Sequence, residues 1–132
     1  MSTERYPALI CGWLGSTKSL NKVLQPLAEK HDIESDDLAY DLSEDYPEIF
    51  LSKIPKKLKP LFENDTLELS CGYDTNESGD YYIGIKFNIY YDSAEEAYEL
   101  MKDVEAMMNS VVEGLDLSES PKFYNIIYWF WD

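Results

Sequence analysis

The chain has 132 residues, of which 45% are hydrophobic, 28% charged and 14% aromatic, a balance that suits one folded domain with a substantial core and excludes wholesale disorder. Eleven Lys and Arg against 26 Asp and Glu give a formal charge of -15, which disfavours direct binding of nucleic acid or anionic membrane, both held chiefly through basic side chains. Two Cys make no disulfide framework, and no stretch approaches the roughly 18 to 20 apolar residues of a membrane span.

Taken in order, Tyr6 to Trp13 is a short apolar run that ends near Gly12 and Gly15 and gives way to helical spacing at Leu20, Val23, Leu24 and Leu27. This predicts strand, turn and helix, with Ser16 or Thr17 as the cap and a kink or early break at Pro26. From Asp32 to Glu48 eight acids occur with no Lys or Arg, a stretch that suits an acidic helix or a loop. Lys53, Lys56, Lys57 and Lys59 follow, punctuated by Pro55 and Pro60, and large apolar residues between them predict short helical turns packed on the domain. Residues 32–64 thus read as an insert, acidic first and then rich in Lys and Pro.

Thr66 to Tyr73 alternates, with Leu67, Leu69, Cys71 and Tyr73 on one side. After the turn residues 74–80, a second alternation runs from Tyr81 to Tyr91, so the pair is an antiparallel hairpin. Ser93 and Glu96 have the spacing of a capping box, and Ala97, Leu100, Met101, Val104, Met107, Met108 and Val111 recur every three or four residues, predicting a second long helix. Phe123 to Trp131 is a final aromatic strand in which both alternating sets are apolar, so either can face inward. The order β-α-insert-β-β-α-β over residues 1–132 predicts an α+β single domain of the ferredoxin-like, split βαβ kind. One sheet face would be left without helices, showing Glu68, Ser70, Tyr82, Lys86, Asn88 and Tyr90.

No catalytic constellation emerges. Gly12 to Ser19 lacks the Gly before Lys18 that a phosphate-binding loop needs, because Thr17 stands there. Asp74, Asn76 and Ser78 fall at calcium-loop positions, but position 12 is Ile85 instead of a bidentate Glu, and the hairpin-turn reading takes precedence. Cys11 and His31 sit at opposite ends of a helix of about 14 residues, roughly 20 Å long and too far for a dyad. Two Cys and one His cannot assemble a zinc quartet or a His triad, so no metal or cofactor is assigned.

What remains is a surface. Residues 61–132 hold 16 acids and 3 bases, and eleven Tyr and three Trp accompany the carboxylates. Tyrosine and tryptophan are enriched at protein interfaces, while carboxylates steer encounter with a basic partner. The expectation is a cytoplasmic binding module without enzymatic activity, an inhibitor or immunity-type protein whose carboxylates imitate the phosphates of nucleic acid. Expected contacts are Asp36, Asp37, Tyr40, Asp41, Glu44, Asp45 and Tyr46 in the insert, Tyr82 and Tyr90 on the hairpin, and Glu95, Glu99 and Asp103 on the second long helix. The alternatives are a homodimer paired through the aromatic last strand and an enzyme built on carboxylates and a metal.

Overall fold

The computed structural model describes the backbone of residues 3–74, 80–88 and 94–131, and the side chains of 8–74, 80–88 and 96–127. The elements are β1 (Thr3–Gly15), α1 (Thr17–Lys30), α2 (Leu38–Glu44), α3 (Glu48–Leu51), a 3-10 turn (Lys56–Leu58), α4 (Lys59–Glu63), β2 (Leu67–Tyr73), β3 (Tyr81–Phe87), α5 (Ala94–Val111) and β4 (Lys122–Trp131). Among the described residues this is an α+β arrangement with five helices and one antiparallel sheet in the order β2-β3-β1-β4.

Helix α1 begins where Ser16 accepts a hydrogen bond from the Ser19 N–H at 3.1 Å. It buries the stripe Leu20, Val23, Leu24, Leu27 and Ala28. It does not break at Pro26 as expected. The carbonyl that Pro26 leaves without its helical donor belongs to Lys22, on the exposed side where water can serve it, while the buried stripe holds the turns on either side. The helix stops one turn later. Asp32 takes a left-handed φ of 55°, its N–H reaches the Glu29 carbonyl, and the Ile33 N–H reaches that of Ala28 at 2.9 Å. This is a Schellman ending, completed by burial of Ile33.

The insert is helical in pieces. Asn21 of α1 holds its first turn: the side-chain amide donates to the Asp36 carbonyl at 2.8 Å and accepts from the Leu38 N–H at 2.9 Å. Asp37 then caps α2 by accepting from the Tyr40 N–H. Leu38, Ala39, Leu42, Ile49, Phe50 and Leu58 drop into the same core as Trp13, Leu24, Ile83, Val104 and Met108. Such burial is what fixes elements too short to be stable alone.

In the sheet the hairpin pairs Leu67 with Phe87 through to Tyr73 with Tyr81. β3 ends at Phe87, while Ile89 to Ser93, including the end of the expected strand and the expected cap, lie outside the described residues. Cys11, Trp13, Ile83, Ile85 and Phe87 face the helices, joined by Phe123, which meets Phe87 edge to face at 6.2 Å. Tyr124 and Ile126 therefore belong to the opposite side of the sheet.

That opposite side is not the open surface expected. Ile10, Tyr82 and Ile126 are buried there, with Ala8, Leu14 and Tyr124 packed around them, and Lys86 is almost enclosed as it meets Glu68 at 2.9 Å. The cause is curvature. Outer strands of a flat four-stranded sheet lie about 14 Å apart, yet the Ile127 N–H of β4 donates to Oδ1 of Asp74, just past β2, at 2.9 Å. Opposite edges have curled towards each other. The pairing Gly12 with Gly84 permits it: a Cβ on Gly12 would lie 2.0 Å from the Ile83 carbonyl oxygen, and one on Gly84 2.3 Å from that of Cys11.

Candidate protein-binding surface

Three local devices present the insert's acids to solvent. The Asn21 clamp fixes Asp36, the cap fixes Asp37, and a second bond from the Asp37 N–H to Ser35 Oγ at 2.9 Å tightens the entry turn. Because α2 turns Leu38, Ala39 and Leu42 inward, Tyr40 and Glu44 are forced outward, and Tyr40 is 54% exposed. Asp41 is half-buried, while Asp45 and Tyr46 lie exposed beyond the helix end.

Helix α2 packs on α1, β2 and β3. Its acids consequently act on the hairpin: burial pushes the Cys71 thiol up to about 11, a hydrogen bond from Ser43 opposes this, and the charges of Asp37 and Glu44 reinforce it. Tyr81, bonded through its hydroxyl to Tyr73, is pushed up to about 12 by that bond, with burial, Tyr73 and Asp37 adding to it. The two rings lie 4.0 Å apart between centroids and tilted by 31°, and Tyr73 is 58% exposed at the end of the edge strand. Asp37, Glu44, Tyr73 and Tyr81 thus belong to one corner. Sequence reasoning placed Tyr73 with the inward residues of its strand and missed this role; its position beside the turn, at the limit of the helical cover, was the available signal.

Where the insert begins, Glu29, Asp32 and Glu34 line a cleft of about 470 Å³ with Gln25 and Ile33. Here the Schellman turn brings a helix-end carboxylate beside two from the loop. A separate hollow of about 390 Å³ is lined by Lys30, His31, Tyr46, Glu48 and Lys53, so Tyr46 stands among mixed charges.

The other expected contacts are not drawn into the corner. Helix α5 packs on β1 and α3, and its acids are partly neutralised: Asp103 pairs with Lys57 at 2.8 Å and Glu99 with Lys102 at 3.2 Å. Tyr82 is no surface anchor. It is only 4% exposed, because its ring lies across Gly72 inside the curled sheet and its hydroxyl meets Ser70 at 3.0 Å. Tyr90 and the Glu95 side chain lie outside the described residues, as do Asn76 and Ser78 of the hairpin turn.

The thiols have no nucleophile's environment. Burial pushes Cys11 up to about 12, with the charge of Glu105 adding to it, and His31 stands exposed at the end of α1. Among the described residues no three His, Cys, Asp or Glu side chains converge to hold a metal ion, and no helix is long and apolar enough to cross a membrane. Compared with known proteins, the chain matches no family model, no curated protein and no solved structure.

Proposed function

We propose that this protein is a binding module that docks through the α2 corner on a basic protein partner, acting as an inhibitor or immunity-type protein by covering a surface made for phosphates. The observation that carries this reading is the exposure of Tyr40 and Glu44 on α2, in a stretch without a Lys or Arg between His31 and Lys53, packed on the strand that ends in the exposed Tyr73. Exposed rings supply area that a partner can desolvate, and the carboxylates supply attraction and encounter rate. The carboxylate-lined cleft at Glu29, Asp32 and Glu34 suits a Lys or Arg side chain from the same partner. We also infer a ferredoxin-like, split βαβ plan, supported by the antiparallel order β2-β3-β1-β4 with α1 and α5 as the two long helices.

The test is capture from lysate at low and high salt, followed by identification of the captured protein and kinetics with charge-reversed variants. A basic partner that elutes as ions screen the contact is expected, and the pair Asp37→Lys and Glu44→Lys should slow association about tenfold or more. Unchanged association by a folded double variant removes α2 from the interface. A homodimer paired through β4 has less support, because the Asp74 carboxylate on the Ile127 N–H would interrupt the ladder there and two chains of net charge -15 repel each other. A cytoplasmic setting belongs to the same proposal.

A further inference from the structure

We infer that the partner is received as an added strand: an extended, Lys- or Arg-bearing segment pairs with the outer edge of β2. This deepens the reading above and rests on it.

The direction of the backbone groups carries the argument. The Asn88 N–H donates to the Thr66 carbonyl at 2.8 Å, and the Asp74 N–H to that of Asp80 at 2.7 Å. Both bonds fall on the same ladder phase, so Glu68, Ser70 and Gly72 exchange bonds with β3, and Leu67, Leu69, Cys71 and Tyr73 turn their N–H and C=O groups outward. β2 is an outer strand; Leu67 is fully buried, but Leu69 and Cys71 are half-buried and Tyr73 is exposed, and among the described residues the N–H groups of these three have no other acceptor. Natural edges are usually blunted by Pro, by Lys or by a bulge. β2 has no Pro, Lys or bulge, its sequence Leu-Glu-Leu-Ser-Cys-Gly-Tyr being paired without interruption, and although α2 and α4 pack on the strand and Leu67 is covered, its Leu69–Tyr73 stretch stays partly exposed.

Charge selects the occupant. Asp37 and Glu44 both act on Cys71, midway along the edge, and Glu68 faces the sheet's other side. A second copy of a chain with net charge -15 would bring its own carboxylates against these. A basic strand gains where the copy loses, and the exposed Tyr73 ring offers its end a platform on which a Lys or Arg can rest.

The experiment uses the full chain and a synthetic peptide alternating Lys and Val, alongside the same peptide N-methylated on alternate residues along either edge. Binding of the plain peptide should slow hydrogen exchange at the Leu69, Cys71 and Tyr73 amides, and methylation of the edge that faces β2 should weaken binding about tenfold or more. Methylation leaves this protein's fold untouched, so loss of binding cannot be blamed on misfolding. If the plain and methylated peptides bind equally, and Asp37→Lys with Glu44→Lys still abolishes both, strand addition is overturned while docking on the acidic corner stands. If no Lys–Val peptide binds at low salt, both readings fall.

Discussion

At Gly84 the cost of a single methyl group can be argued from distance. Its Cβ would meet the Cys11 carbonyl oxygen at 2.3 Å and Cys11 carbonyl carbon at 2.8 Å, backbone that cannot rotate away. Gly84→Ala should therefore lower stability by about 3 kcal/mol, read from denaturant unfolding; a loss below about 0.5 kcal/mol would mean that the curl is not tight there. Glu68 on the same face responds to pH. Burial raises its carboxyl, but hydrogen bonds from Lys86 and Asn88 and the charge of Lys86 outweigh this and hold it below its ordinary value. A carboxyl depressed by folding stabilises above its unfolded pKa and loses that contribution as pH falls through the folded one. Acid should thus weaken the wild type more than Glu68→Gln below about pH 4, and parallel stability curves would refute the assignment. Alternation correctly put Glu68 and Lys86 on one face, but no period in the sequence says that this face is closed, which is why Tyr82 read as a surface anchor.

Among the elements, legibility followed length. α1, the β2–β3 hairpin and α5 each repeat their apolar spacing often enough to be read, whereas α2, α3 and α4 have seven, four and five residues, too few for a period to declare itself. Their positions depend on what receives them: Asn21 for the start of α2, the common core for Ile49 and Phe50. The acids of the candidate surface were visible as a run, but their meeting with Tyr73 and Tyr81 required α2 to lie over the hairpin, a tertiary fact. The end of α1 was equally hidden, since Asp is an uncommon choice for a left-handed position. Asp32→Gly should raise stability by about 1 kcal/mol, measured by thermal or denaturant unfolding; a lower stability would show that the Asp32 side chain makes a contribution outweighing its backbone strain.

For the molecule as a whole, a charge of -15 sets carboxylates against one another, offset locally by ion pairs such as Lys57–Asp103, Lys86–Glu68 and Lys102–Glu99. Raising NaCl from about 0.01 M to about 0.5 M shortens the screening length severalfold, so the unfolding midpoint should rise; a fall would mean that the ion pairs outweigh the general repulsion. The Asp74 bond to Ile127 has a consequence for stoichiometry. A sheet receptive at both margins can be extended without limit, as fibrils are, but here the carboxylate of Asp74 sits on the aromatic margin at Ile127 and interrupts the run of outward N–H groups an incoming strand would need there. Strand addition on β2 should therefore end in a one-to-one pair, read as a single added mass by light scattering; growth into longer assemblies would show that the bond at Ile127 does not guard the β4 edge.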